Sequence, residues 1–205
     1  MTGNRAVEKR PRRFGFILAG GRARRMGGAD KAEVVLARRR LIDRVLSRLA
    51  SQLDGVLICG PETYDCSVEA VTDRPEGPAG PAAGVFAAER WIRARAPDCG
   101  GFLTAPVDGP FLPDDLAPRL VGVDGSAFAA DSENDHPTFA YWTLEALARA
   151  WPALESKGSI SMRALADACG ARRVVWNDPY TFFNVNSPED LKTAEAILRD
   201  RPTLA

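Results

Sequence analysis

Short apolar runs alternate along the chain with longer stretches in which apolar residues recur at helical spacing. Residues 15–18 carry no polar side chain, so we expect a strand that is buried on both faces. Similar runs predict strands at 55–59, 68–71, 101–105, 127–130, 138–142 and 174–176, with a loop at 131–136. The helical pattern predicts helices at 41–53, 114–121, 144–154 and 161–169 and one from 188 onward. A further helix is expected from the end of a Pro/Gly-rich segment to about residue 91.

This alternation predicts one α/β domain with a mostly parallel sheet, which we place at residues 14–201. Its last helix begins with Ser187 as N-cap, Pro188 in the first turn, and two acids after it. Residues 1–13 hold five basic side chains, and we expect a disordered, solvated tail there.

The sequence after the first strand is rich in glycine and in cationic side chains. Gly20 and Gly21 allow backbone N–H groups to approach an anion closely. Arg25 and Lys31 are long enough to reach phosphate oxygens. The stretch matches neither a P-loop nor the dinucleotide fingerprint G-x-G-x-x-G. It predicts a site for a nucleoside polyphosphate, and a solvated basic loop is the alternative.

Two carboxylates follow later strands. Asp73 comes after the strand at 68–71, and Asp108 comes after the strand at 101–105. Because ligands of parallel sheets bind beyond the carboxyl ends of the strands, we expect both acids to face the glycine-rich loop. Asp108 is a natural Mg²⁺ ligand beside a triphosphate, or else a residue that begins a turn. Asp73 could contact the base, the sugar or the metal, or it could cap its own loop.

Three further motifs can each be interpreted as part of a binding site or as a structural feature. The glycines of the loop after Asp73, among them Gly80 and Gly84, could let it fold over a base, or the loop could be a surface connection. His136 could position a substrate phosphate, or it could cap the strand that follows. Asn184 and Asn186 are two residues apart on an extended segment, so we expect both to point the same way. They could bind a second substrate or phosphates, or they could form a turn before the helix.

Composition narrows the choice of partners. The chain has 205 residues with 27 basic and 27 acidic side chains, and this zero net charge argues against a broad nucleic-acid surface. No apolar run reaches the length of a membrane span, so no membrane partner is expected. The cysteines form no C-x-x-C pair, which is typical of reduced thiols in the cytoplasm, with neither a disulfide framework nor a zinc site.

Five motifs occur in one order and together resemble the molybdenum cofactor guanylyltransferases, a branch of the MobA-like nucleotidyltransferases. They are LAGGRARRMGGADK at 18–31, Asp73 with GPAAG at 80–84, PVDGP at 106–110, DHPT at 135–138 and FNVNSP at 183–188. The resemblance implies a Rossmann-like three-layer α/β/α sandwich of the nucleotide-diphospho-sugar transferase type. It also implies transfer of GMP from GTP to the terminal phosphate of a molybdopterin-type cofactor, with Mg²⁺ as cofactor and pyrophosphate as product.

The resemblance assigns roles to individual residues. Arg25, Lys31 and Asp108 are the implied catalytic residues, and Asp108 is the implied metal ligand. The implied second-substrate residues are His136, Asn184 and Asn186. The implied nucleotide-binding residues are Leu18, Ala19, Gly20, Gly21, Lys31, Asp73, Gly80, Gly84 and Asp108. The sequence departs from the family's pattern at three places. Cys59 stands where an asparagine is frequent, residues 37–40 read Ala-Arg-Arg-Arg where glycine and proline are usual, and Val107 precedes Asp108 where cysteine is usual.

Two other functions remain open at this point. A cytidylyltransferase that uses CTP would carry the same first loop, because that loop contacts phosphates and not the base. A nucleotide-binding protein without catalytic activity could deliver the cofactor to a partner. Carrier or acceptor enzymes of the cofactor are possible partners under either function.

Overall fold

Strands and helices alternate through the computed structural model, which describes residues 11–19, 30–61, 63–72 and 80–204. The strands are β1 (Phe14–Leu18), β2 (Val35–Leu36), β3 (Arg39–Arg40), β4 (Gly55–Cys59), β5 (Ala70–Val71), β6 (Gly101–Pro106), β7 (Ala127–Ala130), β8 (Asp135–Thr143) and β9 (Arg172–Val175). The helices are α1 (Leu41–Ala50), α2 (Ala83–Arg95), α3 (Leu116–Val121), α4 (Leu144–Ala150), α5 (Met162–Ala168) and α6 (Pro188–Asp200). Short 3₁₀ turns lie at Lys31–Glu33, Trp151–Ala153 and Pro202–Leu204.

Seven of these strands form one sheet in the order β5-β4-β1-β6-β8-β7-β9, and β2 pairs with β3 in a separate hairpin. β8 runs antiparallel to β6 and β7, whereas the other neighbouring strands of the sheet pair in parallel. The predicted α/β class with a mostly parallel sheet is therefore confirmed. β1 lies inside the sheet, as its lack of polar side chains predicts.

Helices cover both faces of this sheet. On one face, Phe16 and Phe102 pack against apolar residues of α2, α4 and α5. On the other face, Ile17 and Leu103 pack against α1 and α3. Two helical layers around a central sheet form the three-layer sandwich that the resemblance implies.

The start of α6 confirms the predicted cap. The hydroxyl of Ser187 accepts a hydrogen bond of 3.1 Å from the backbone N–H of Asp190. Pro188 occupies the first turn, where its missing N–H leaves no intrahelical bond unmade. α6 packs with β2 and α1 into a smaller apolar cluster.

Several predicted boundaries were wrong by a few residues. β8 begins at Asp135, so the strand includes part of the predicted loop, because pairing with β7 continues beyond a bulge at Phe128/Ala129. β9 spans Arg172–Val175 instead of 174–176, since its parallel pairing with β7 includes two polar residues. β5 contains only the last two residues of the predicted strand at 68–71, and α1 ends at Ala50.

α3 begins at Leu116, and neither acid before it caps the helix with its side chain. The carboxylate of Asp115 instead accepts a hydrogen bond of 2.7 Å from the indole N–H of Trp176. This bond ties the start of α3 to the residue after β9.

None of the four cysteines forms a disulfide bond. Across the described ranges, no group of three or more His, Cys, Asp or Glu side chains is placed to hold a metal ion. No helix in those ranges combines the length and the apolarity that a membrane span requires.

The hairpin of β2 and β3 turns through two residues in the left-handed region. Ala37 has φ 47° and Arg38 has φ 69°. A two-residue turn of this kind favours Asn-Gly, because glycine has no Cβ to be strained at positive φ and asparagine tolerates this region better than other residues. The buried guanidinium of Arg44 donates to the carbonyl of Leu36 at 2.8 Å and so holds this strained hairpin on α1. Burial lowers the pKa of Arg44.

We predict that the double variant Ala37→Asn/Arg38→Gly is more stable than the wild type by about 1 kcal/mol. Relief of strain at two positions outweighs the extra entropy of glycine in the unfolded chain. Urea denaturation measures the difference. Lys192→Gly, an exposed position inside α6, is the control and should lose about 1 kcal/mol. Equal losses in both variants would contradict the strain argument.

Candidate functional site

The carboxyl ends of β1, β4 and β6 lie side by side. Leu18 at the end of β1 pairs in register with Cys59 of β4 and with Pro106 of β6. The pairing continues past the strand, because the N–H of Ala19 donates to the carbonyl of Cys59 at 2.8 Å. The N–H of Val107 donates to the carbonyl of Leu18 at 3.1 Å. The chain segments that leave these three strands therefore start at one edge of the sheet.

Lys31 reaches this edge from the first residue of a 3₁₀ turn. The carboxylate of Asp30 caps that turn, since its Oδ1 accepts a hydrogen bond of 2.9 Å from the N–H of Ala32. The Nζ of Lys31 lies 2.6 Å from Oδ2 of Asp108 and also donates to Oδ1 of Asn186. The side chains of Lys31 and Asp108 are each 16% exposed. Three of the predicted site residues are thus in direct contact.

The position of Asp108 is fixed from two sides. Its backbone carbonyl accepts a hydrogen bond of 2.8 Å from the N–H of Val185, which joins it to the segment before α6. Gly109 lies against the fully buried ring of Phe139, and a Cβ at this glycine would be 2.3 Å from a ring carbon. Glycine is therefore required beside the carboxylate, because any side chain would push this part of the chain away from the sheet.

Of the two late asparagines, Asn186 joins the cluster. Its N–H donates to the carboxylate of Asp190 at 2.9 Å, and its side chain accepts from Lys31. The amide oxygen of Asn184 is buried and has no hydrogen-bond partner among the described residues. The two side chains therefore have different surroundings, although both were expected to point the same way. A buried amide oxygen of this kind is suited to accept a bond from a ligand donor.

The start of α2 approaches the same edge. A Cβ at Gly84 would lie 2.8 Å from a methyl group of Leu18, so glycine allows the helix to pack close to β1. The thiol of Cys59 donates to the carbonyl of Gly84 at 3.3 Å. Gly80 has φ +93°, and a Cβ there would lie 2.5 Å from the hydroxyl of Ser159. The N-terminus of α2 contributes partial positive charge to this edge, and no acidic residue in its first turn offsets that charge.

His136 makes a different set of contacts. Its Nε2 lies 2.7 Å from Oδ2 of Asp131, and its ring lies 5.0 Å from the ring of Phe182. Phe182 is buried at φ 68°, an uncommon conformation for a bulky residue. Burial opposes ionisation of Asp131, but hydrogen bonds from His136 and from two backbone N–H groups outweigh it and lower the pKa to about 2. Among the described residues, no hydrogen bond or ion pair joins His136 to Lys31 or Asp108.

Four predicted site residues lie outside the described residues: Gly20, Gly21, Arg25 and Asp73. Two polar residues of the site were not predicted, namely Asp30 and Tyr64. Asp30 had a local signal, since it directly precedes Lys31 and Asp is a preferred cap. Tyr64 had none, because it lies in the connection between β4 and β5 and reaches Asp30 only through the fold.

The sheet order and the two helical layers define a three-layer α/β fold with a lysine–carboxylate pair at the carboxyl edge of its sheet. The chain belongs to the MobA-like NTP transferase domain family, whose domain matches residues 15–174.

Curated relatives that share one name align with most of the chain. A molybdenum cofactor guanylyltransferase of Cereibacter sphaeroides is 40% identical over 192 residues, which are 92% of this chain and 98% of the relative. A protein of the same name from Mesorhizobium japonicum is 34% identical over 201 residues, which are 90% of this chain and 95% of the relative.

Solved structures share the fold at lower identity. Molybdopterin-guanine dinucleotide biosynthesis protein A from Archaeoglobus fulgidus aligns with a TM-score of 0.70 at 22% identity, over 91% of this chain and 99% of that protein. The 2-C-methyl-D-erythritol 4-phosphate cytidylyltransferase from Thermus thermophilus aligns with a TM-score of 0.64 at 21% identity, over 92% and 99% of the two chains.

We predict that Gly109→Ala destabilises the protein by about 2 kcal/mol and also lowers its activity. The new methyl group overpacks the core at Phe139 and displaces the adjacent carboxylate of Asp108. Denaturant unfolding and turnover measure the two effects. Gly100→Ala at the opposite end of β6 is the matched control, because nothing lies within 4 Å of its added Cβ. Equal behaviour of the two variants would contradict the packing argument.

We predict a pH-dependent stability contribution from Asp131. Its pKa falls from 3.8 in the unfolded chain to about 2 in the folded protein. The stabilisation by the ionised carboxylate is therefore fully present above the pKa of the unfolded chain and is lost as the pH falls through the pKa of the folded protein. Relative to Asp131→Asn, the wild type should be more stable by about 2 kcal/mol at neutral pH and by about half of that near pH 3.

Urea denaturation of the wild type and the variant across this pH range measures the difference. Asp124→Asn is the control, because Asp124 is 96% exposed and should show no such trend. A stability difference for Asp131→Asn that does not change with pH would contradict the assignment.

Proposed function

We propose that this protein transfers GMP from GTP to the terminal phosphate of a molybdenum–molybdopterin cofactor and releases pyrophosphate. The observation that carries the proposal is the contact of Lys31 with Asp108 and Asn186 at the carboxyl edge of the sheet. Relatives that are 34–40% identical over most of the chain and are named guanylyltransferases support the choice of GTP.

The main barrier to this reaction is the approach of negative charges. The attacking group is a phosphate, and the attacked atom is the α-phosphorus of a triphosphate. Lys31 supplies positive charge where the pyrophosphate develops, and Arg25 is assigned the same task. A phosphate nucleophile is already ionised at neutral pH, so the reaction needs no strong general base.

Asp108 is the proposed ligand of Mg²⁺. Its Oδ2 is used by Lys31, whereas its Oδ1 accepts no hydrogen bond from the described residues. One carboxylate fits this ion, because Mg²⁺ takes its other ligands from water and from phosphate oxygens. When bound, Mg²⁺ neutralises part of the charge on the triphosphate. Asp108 itself holds its place through Val185, independently of any ligand.

The two substrates are assigned to two sides of the Lys31 cluster. Leu18, Ala19 and the N-terminus of α2 with Gly80 and Gly84 form the proposed nucleotide side, to which we also assign Gly20, Gly21 and Asp73. The cofactor side is assigned to Asn184, whose buried oxygen can accept a bond from the pterin, together with Asn186 and His136. Carrier or acceptor enzymes as partners, and a cytoplasmic location, stay predictions.

Use of CTP is the second candidate, because a cytidylyltransferase shares the fold. We propose a nucleotide panel as the test. With Mg²⁺ present, GTP should raise the melting temperature more than CTP, ATP or UTP, since a ligand that binds the folded state stabilises it. Release of pyrophosphate that depends on GTP and on the cofactor should follow. A larger shift with CTP would overturn the choice of base, and binding without turnover would indicate a delivery protein.

We predict that Asp108→Asn and Lys31→Ala each lower kcat/KM by about 100-fold or more. Lys31→Ala removes positive charge beside the phosphates, and Asp108→Asn removes the proposed carboxylate ligand of Mg²⁺. Both variants should remain folded, as judged by circular dichroism and melting temperature. Lys157→Ala, in an exposed segment, is the control and should keep full activity. Full activity of Asp108→Asn would contradict the metal assignment.

A further inference from the structure

We propose that Tyr64 is a positioning residue that holds Lys31 in place for the triphosphate, acting through Asp30. The inference rests on the proposed function, because it assumes that Lys31 binds GTP. Tyr64 lies in the connection between β4 and β5 and is 3% exposed. Its hydroxyl is hydrogen-bonded to groups of the protein, so we expect its effect to pass through these neighbours.

The hydroxyl of Tyr64 lies between two acceptors at the site. It is 3.0 Å from Oδ2 of Asp30 and 3.2 Å from the carbonyl oxygen of Ala19. Ala19 follows β1 directly, and Asp30 precedes Lys31 directly. The single hydroxyl proton, shared between these two acceptors, thus links the end of β1 to the start of the turn that carries the lysine.

Both oxygens of Asp30 are used in this arrangement. Oδ1 accepts the N–H of Ala32 and caps the 3₁₀ turn, and Oδ2 accepts the hydroxyl of Tyr64. A carboxylate that is held at both oxygens cannot rotate without losing one bond. The hydroxyl of Tyr64 therefore fixes the orientation of the Asp30 carboxylate that caps the turn. The capped turn then fixes the backbone position from which the Lys31 side chain extends.

Tyr64 is itself held firmly at its backbone. Tyr64 and Asp65 have φ 53° and φ 54°, so the chain makes a left-handed turn that directs the ring inward. The carbonyl of Tyr64 accepts a hydrogen bond of 2.8 Å from the guanidinium of Arg40. Arg40 also lies 3.0 Å from the carboxylate of Glu33, the last residue of the 3₁₀ turn. Tyr64 and Arg40 thus fix the two ends of the turn that presents Lys31.

Tyr64→Phe tests the proposal, because it removes one oxygen atom and keeps the ring. We expect the Kd for GTP with Mg²⁺, measured by calorimetry without the pterin, to rise about tenfold, since a hydrogen bond to a charged group is lost. The matched control is Tyr141→Phe in β8, beside Gly101 at the opposite end of β6, and its Kd should stay within about twofold of the wild type. Wild-type binding of Tyr64→Phe would overturn the inference.

Asp30→Ser provides a second test that does not depend on Tyr64. Serine can still cap the turn, but it cannot offer a second oxygen to the hydroxyl. We expect the same loss of affinity, and the double variant Tyr64→Phe/Asp30→Ser should be no weaker than either single variant. Losses that multiply in the double variant would overturn the inference. Failure of the wild type to bind GTP would overturn the proposed function instead, which keeps the two failures distinct.

Discussion

The site depends on the parallel pairing of β1 with both of its neighbours. β1 is fully inside the sheet, and its last residue, Leu18, is level with the ends of β4 and β6. Neighbouring strands lie about 4.8 Å apart, so three chain segments leave the sheet within a short distance of each other. The glycine-rich segment leaves β1, and Asp108 follows β6 by two residues. If this register slipped by one residue, Asp108 would move by a full residue length relative to Lys31.

The Lys31–Asp108 pair occupies a site that is largely removed from water. Removal of two charges from water is costly, and their mutual attraction offsets that cost only when further polar groups are present. Asn186 provides one such group for the lysine. The network around Asp30 and Tyr64 restricts the lysine further, since its turn is capped before the side chain begins. Such a pair does little for stability, but under the proposed function it keeps the cation where the triphosphate binds.

Elements whose determinants are local could be predicted from the sequence, whereas boundaries set by strand pairing could not. The strands predicted at 15–18 and 55–59 are present as β1 and β4, because burial on both faces leaves no polar side chain in these runs. The cap of α6 was recognised because the Ser187 hydroxyl satisfies a backbone donor within three residues. β9 was placed two residues late, since Arg172 and Arg173 lie on an edge strand and carry no apolar signal. The extension of β8 depends on a bulge in β7, which only the pairing of two strands defines.

For the site, the sequence by itself determined the chemical groups and the strand ends from which they come. Lys31, Asp108 and Asn186 could be named because a cation, a carboxylate and an amide follow recognisable motifs. Only the tertiary structure decided which groups meet. Lys31 contacts partners 77 and 155 residues away, whereas His136, near the start of β8, is bound to Asp131, only 5 residues away. The physical reason is that motifs report local conformation, while contacts between distant side chains depend on strand order, register and packing.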